Sequence, residues 1–455
     1  MGDPIQTNHM NGKSTHKGLG SQVLVPSRLL LAGAVAFGPL ALPVLANGEA
    51  SEAAAALNAA RQEEAEAENV SEFRQAMIGG KWWLKLRYRF ESVDQENVAN
   101  KAYASTLRTV LGYETAEYKN FRALVEFEDV SVIGDENSYK SPINGVTDRP
   151  VVADPKGTEV NRVFLGYTGI NNTDLILGRR QIKLDNDRFV GNVGWRQNEQ
   201  TFDVVSGEWS GENAGFFYAF VENVNRIFGD QSAIGNARMA SHLINGNYSW
   251  DNVGKLSVYG YLLDYTYDSK MSTSTFGARF AGKNKHDSWA VSYEAEYATQ
   301  SDYADNAGDV DVDYMHGSLG YHNSGFTVQA GYESLGGTSD GANPFAAFQT
   351  PLATGHKFNG WADKFLTTPA GGLEDVYGKL AYSYGDGSVA LVYHQFAQET
   401  GGGDYGNEID AVWGHKVNAD LSVGIKYADY SADDAATGGQ AIDTSKGWLW
   451  AAYSF

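Results

Sequence analysis

Arginines alternating with apolar residues are the first candidate chemistry in this 455-residue chain. Arg87 and Arg89 lie in the run WWLKLRYRFE, where Trp82, Leu84, Leu86, Tyr88 and Phe90 take the intervening positions. Arg108, Arg122, Arg162, Arg180, Arg188 and Arg196 follow, and beyond residue 240 the one arginine is Arg279. Carboxylates take similar places further on: Asp187 precedes Arg188, Glu294 and Glu296 flank Ala295, and Glu408 and Asp410 flank Ile409. A basic wall facing a more acidic one across a wet lumen sets up a transverse field that orients charged or dipolar solutes. The same groups can instead pair locally and satisfy one another inside a polar interior. The sequence leaves both arrangements open.

Other chemistry is excluded more easily. The chain has no cysteine, which removes disulfides, thiolate zinc sites, haem attachment and cysteine nucleophiles. His242, His316, His394 and His415 fall in no Ser/His or Asp/His signature, so no catalytic residue is expected. Asp305, Asp309, Asp311 and Asp313 alternate in one acidic segment, but the glycine bend and closing glutamate of a calcium hand are missing. No metal site and no cofactor are expected. A formal net charge of -21 makes nucleic acid an unlikely ligand, since phosphate binding needs a basic surface.

The elements that must hold these residues are strands. From Lys81 onward the hydrophobic period is two, in about 18 segments of about ten residues, the length a tilted strand needs to cross a bilayer. Gly 52, Tyr 26 and Phe 21 against Pro 10 suit such strands better than helices around a thick core. Short turns alternate with mostly longer loops, as in barrels that place turns in the periplasm and loops outside. The chain ends GWLWAAYSF, with Leu449, Ala451 and Tyr453 on one face and an aromatic Phe455 at the terminus. The predicted fold is all-β, a transmembrane antiparallel β-barrel over residues 81–455. Residues 1–46 read as an export signal, with Lys13, Lys17 and Arg28 ahead of an apolar run and a small-residue cleavage site before Asn47. Residues 47–80, rich in Ala and Glu, read as a helical or frayed periplasmic leader.

The densest stretch is Gly178 to Asp203, GRRQIKLDNDRFVGNVGWRQNEQTFD. It resembles the alginate export family of outer-membrane porins at Gly178, Arg180, Gln181, Asp187, Arg188, Gly191, Trp195 and Asp203. That resemblance extends loosely from about Lys81 onwards. It implies a monomeric barrel of similar strand number whose arginine-lined constriction passes an anionic polysaccharide. The acidic balance and arginine-poor later strands depart from that pattern, so the architecture is carried over and the substrate is not.

The expectation is therefore a porin, a passive channel for small hydrophilic solutes, anionic or dipolar, saccharides included. Arg87, Arg89, Arg108, Arg122, Arg162, Arg180, Asp187, Arg188, Arg196, Glu294, Glu296, Glu408 and Asp410 would line it. Expected partners are outer-membrane lipid, lipopolysaccharide and the barrel assembly machinery, which reads Phe455; both monomer and trimer stay open. The rival is a scaffolding barrel sealed by its loops. One loop, Ser334 to Gly372, bears directly on that choice. Its Phe345, Phe348, Phe358, Trp361 and Phe365 are expected either to stack on a ligand at the mouth or to pack on their neighbours.

Overall fold

Alternation over a run of ten or more residues gives each strand one apolar and one polar face, and a sheet built from such strands satisfies its backbone in lipid by closing on itself. The computed structural model describes residues 47–338 and 344–455. The barrel strands are β1 (Lys81–Gln95), β2 (Ala102–Glu114), β3 (Phe121–Val132), β4 (Gly157–Ile170), β5 (Thr173–Arg180), β6 (Thr201–Ser210), β7 (Ala214–Asn225), β8 (Asn236–Trp250) and β9 (Gly254–Leu263). They continue as β10 (Thr273–Lys285), β11 (Trp289–Asp302), β12 (Asp311–Asn323), β13 (Phe326–Leu335), β14 (Leu373–Tyr384), β15 (Gly387–Ala397), β16 (Asp404–Lys416), β17 (Leu421–Ala432) and β18 (Thr444–Ser454). Every strand is antiparallel to its neighbours, and β1 pairs with both β2 and β18, so the 18-stranded sheet closes.

The closure is carried by the terminal strand. Leu449, Ala451 and Tyr453 pair with Phe90, Tyr88 and Leu86. The backbones of Leu84 and Phe455 exchange bonds of 3.0 and 2.8 Å, and the Phe455 ring lies 5.0 Å from Trp82. Apolar side chains on the outer phase, such as Leu111, Leu177, Leu319 and Leu380, are exposed as a lipid-facing wall requires.

Turns of two (171–172) to six (115–120) residues close one end, and the loops at the other run to 37 residues (336–372). That rhythm agrees with the sequence. Strand ends differ in places. β2 begins four residues before the expected Thr106 and β8 four before Ala240, because backbone pairing extends past the membrane-length core of each strand. β5 stops at Arg180 rather than Lys183, since the chain there turns into the barrel.

A single helix, α1 (Asn47–Ile78), precedes the barrel. Its Ala- and Glu-rich composition favours helix, and Gly79 and Gly80 follow its end. The expected export signal, 1–46, lies outside the described residues.

Candidate functional site

The interior is organised by the β5–β6 loop (181–200), which enters the barrel. Gly178 has φ +131°, and a Cβ there would sit 2.4 Å from the Val163 carbonyl oxygen, so the close strand approach before the loop requires glycine. Asp185, Asp187 and Val193 also adopt left-handed φ, which bends the loop inward. From there its charged groups reach distant strands. Arg188 Nε donates to Glu333 on β13 at 2.7 Å, with Thr350 Oγ1 and Asn359 Oδ1 at 3.0 and 3.2 Å from the other guanidinium nitrogens. Arg196 donates to Glu91 on β1 at 3.0 Å and to Asp363 at 3.1 Å. Glu199 lies 2.7 Å from Arg108 on β2.

Trp195 is the hub of this loop. Its indole stacks on His356 with centroids 4.9 Å apart, meets Trp448 and Trp450 edge-on, and has the Lys426 ammonium 3.9 Å from its centroid. Arg89 donates to the Trp195 carbonyl and to Asp154 of the β3–β4 loop. Arg87 holds the same loop through Gln197 Oε1 at 2.9 Å and the Gly194 carbonyl at 2.8 Å. Burial works against the Asp154 charge, but the adjacent Arg89 and Arg196 guanidiniums hold its carboxyl below the usual range.

The β13–β14 loop (336–372) packs against the first. Phe348 meets Phe189 and Tyr314, and Phe365 meets Phe396, Tyr405 and Tyr430. Phe358 lies under the Arg188 guanidinium at 4.9 Å. Its aromatic rings thus pack on neighbours within the barrel. Backbone N–H groups of Ala362 and Trp361 donate to Glu408 and Asp410 at 2.7 and 3.2 Å. At Gly360, φ +81°, a Cβ would come within 2.4 Å of the Glu408 carboxylate, so the loop approaches this wall through glycine. Burial pushes the His356 imidazole down to about 3. It is therefore neutral, donating from Nδ1 to Asp363 at 2.6 Å and accepting from Lys426 at Nε2 at 3.0 Å.

The remaining residues singled out by sequence are paired within the sheet, except Asp187, which is paired between the two loops. Arg108 bonds Glu128 at 2.5 Å, Arg122 bonds Glu114 and Asp174 at 2.8 and 2.7 Å, and Arg162 bonds Glu126 at 2.6 Å. Arg180 bonds Ser206 at 3.2 Å with Glu208 at 4.0 Å. Glu294 meets Arg279 at 2.7 Å, Glu296 accepts from Tyr259 at 2.8 Å, and Asp187 accepts from Lys357 at 2.7 Å. Among the charges named by the sequence, local pairs and loop anchors dominate.

What sequence reasoning missed is a set of lysines that joins Lys85, which the alternation in WWLKLRYRFE already places on the cationic face of the first strand. Lys85 on β1, Lys283 and Lys285 on β10, Lys379 on β14 and Lys416 on β16 take the inward phase toward the short-turn end. Among the described residues none of the five has a carboxylate within 4 Å. The signal was their phase: Lys379 lies between outward-facing Gly378 and Leu380. A cavity of about 410 Å³ lined by Arg180, Lys183, Asp185, Asn245, Asn247 and Lys255 opens beside the entering loop.

The family model for alginate export matches residues 81–333. The curated proteins yield no match. Among solved structures, OccK9 (OpdG) of Pseudomonas aeruginosa superposes with a TM-score of 0.66 at 13% identity, covering 84% of this chain and 99% of that one. OccAB3 of Acinetobacter baumannii gives 0.65 at 13%, covering 83% and 100%. OpdK of Pseudomonas aeruginosa, solved with vanillate, gives 0.62 at 13%, covering 83% and 99%. At these identities the likeness to the solved structures is one of fold. With more than half its length matched by the family model, the chain belongs to the alginate export family of outer-membrane porins, channels rather than enzymes, and resides in the Gram-negative outer membrane.

Proposed function

We propose that the barrel is a passive diffusion channel for small hydrophilic solutes that are anionic or dipolar, saccharides included. One observation carries this reading: Lys283, Lys285, Lys379 and Lys416, in line with Lys85, stand on the inward phase with no carboxylate within 4 Å. An unpaired ammonium in a confined, low-dielectric lumen projects a positive potential that a paired guanidinium does not, and so concentrates anions although the chain as a whole is acidic. The short-turn end faces the periplasm in outer-membrane barrels, so these lysines line the inner vestibule. The arginine wall is assigned a divided role. Arg87, Arg89, Arg108, Arg188 and Arg196, together with Asp187, Glu408 and Asp410, seat the two inward loops and set the bore. Arg122, Arg162 and Arg180, each partly exposed, border the path with Glu294 and Glu296 opposite. Residues 1–46 serve as the export signal and 47–80 as the periplasmic leader.

The test is liposome swelling with Lys283→Glu/Lys379→Glu/Lys416→Glu. Entry of small carboxylates is expected to fall several-fold while a neutral sugar of the same size enters at an unchanged rate. An equal effect on both solutes contradicts the assignment. A second reading, a scaffolding barrel sealed by its loops, is favoured by the packing of Gln197 and Phe348, which have no solvent exposure. A sealed barrel swells no liposomes at all.

A further inference from the structure

Beside the entering β5–β6 loop, the inward faces of β6–β9 leave a niche whose charges cancel. Arg180, Lys183 and Lys255 are matched there by Asp185, Glu208 and Glu212. A carboxylate solute therefore meets no net field in the niche, in contrast to the lysines of the short-turn end. The volume of about 410 Å³ falls within the range of about 300–1,000 Å³ usual for small-molecule sites.

Three side chains in the niche keep hydrogen-bonding capacity that the protein itself does not use. Arg180 engages two of its five N–H donors, with the Gln181 carbonyl and Ser206 Oγ, both at 3.2 Å. Glu208 lies 4.0 Å from Arg180 Nη2, beyond hydrogen-bond distance, so a donor and an acceptor stand side by side. The Asn247 carboxamide has no hydrogen-bond partner among the described residues. Asn247 pairs with Gly215 across β8 and β7, and a Cβ on Gly215 would sit 2.9 Å from its Nδ2 and 3.2 Å from its Oδ1. Glycine thus leaves the space in which that amide lies. Asp185, by contrast, is engaged: it accepts from Asn245 at 2.7 Å and Ser257 at 2.5 Å, with Lys255 at 3.4 Å, and so fixes the loop to the wall. Phe217, buried and 5.8 Å from the Arg180 guanidinium, supplies an apolar surface together with Ile182 of the loop.

We infer that this niche is a binding subsite for an uncharged sugar. A pyranose carries neighbouring hydroxyls, each both donor and acceptor, on a ring whose C–H faces are apolar. The Asn247 amide offers a donor and an acceptor on one side chain, and Arg180 with Glu208 offers the same pair from adjacent strands. Phe217 and Ile182 receive the C–H face. A site built to hydrogen-bond hydroxyls rejects an analogue that lacks them, so selection here follows hydroxyl geometry and not charge. The inference deepens the channel reading and rests on it for access from the lumen: the vestibule lysines act on a solute's charge, and the niche acts on its hydroxyls.

Saturation-transfer NMR on the purified full-length protein, in a detergent without a sugar headgroup, tests this with glucose and glucuronate, which differ by one carboxylate. Glucose is expected to bind the parent more tightly than glucuronate. Asn247→Leu, which breaks no hydrogen bond within the protein, is expected to weaken glucose several-fold, and Gln329→Leu on β13 to leave it unchanged. Glu208→Gln leaves one uncompensated cation in the niche and is expected to bring glucuronate binding up several-fold. Tighter glucuronate than glucose in the parent, no transfer to glucose, glucuronate binding unmoved by Glu208→Gln, or equal effects of Asn247→Leu and Gln329→Leu would overturn the inference. Saturation transfer needs no conduction. A conducting barrel without transfer to glucose defeats the subsite alone, and a barrel that binds glucose in this way but passes no current defeats the channel reading alone.

Discussion

Asp154 holds the β5–β6 loop from outside it. Its carboxylate meets Arg89 and lies 3.8 Å from Arg196, and it accepts the Gln197 N–H at 2.9 Å. Asp154→Asn leaves two buried guanidiniums with one anchor fewer, a loss of about 3–5 kcal/mol for a broken buried pair. The expected outcome is rapid tryptic cleavage within 181–200 of the folded variant, where the parent resists. The sign with pH follows from the depressed carboxyl. Stability from this group is fully present above the unfolded aspartate value of about 3.9 and is lost as pH falls through the lower folded value. Parent protection should therefore persist from neutrality to about pH 4 and fade only below it, with Asp154→Asn flat across that range. At this scale the sequence was legible for direction and illegible for partners. Alternation placed Arg87, Arg89, Arg108 and Arg122 on the polar face, but nothing local to Arg87 points to Gln197, 110 residues away. The later lysines escaped notice although Lys283 and Lys285 share one face of their strand, because Lys379 and Lys416 stand singly on theirs.

The strands were the most legible elements, since lipid on one side and water on the other impose a period of two that few other folds sustain. Their 18 segments, the rhythm of connections and the closing strand all appear in the structure with ends shifted by a few residues. The inward course of two loops was not legible. A loop's direction is set by contacts such as Arg188 with Glu333 and Glu408 with Ala362, which join elements far apart in sequence. For the aromatic loop 336–372 the sequence left ligand stacking and packing side by side, and its rings pack. Its two ends meet: a Cβ at Gly337 would lie 2.4 Å from the Gly371 carbonyl carbon. Excising 338–370 and joining Gly337 to Gly371 should thus preserve β13 and β14. Single-channel conductance is expected to rise several-fold in that variant. Unchanged conductance would mean that the loop does not limit the bore.

For the whole molecule, net charge and local potential point in opposite directions. The formal charge of -21 is a sum over the whole chain, whereas on the inward phase toward the short turns Lys283, Lys285, Lys379 and Lys416 have no carboxylate within 4 Å among the described residues. On the proposed function, what a permeating solute meets is the second of these, because field lines focus in a narrow lumen with low-dielectric walls. Family membership fixes the class of molecule and leaves the solute to such local groups. The most direct test is the zero-current potential of the purified full-length protein in a planar bilayer under a salt gradient. A reversal potential of anion-selective sign, moved toward the cation side by Lys283→Glu/Lys379→Glu/Lys416→Glu, is predicted. A cation-selective parent, or a barrel that passes no current, would contradict it.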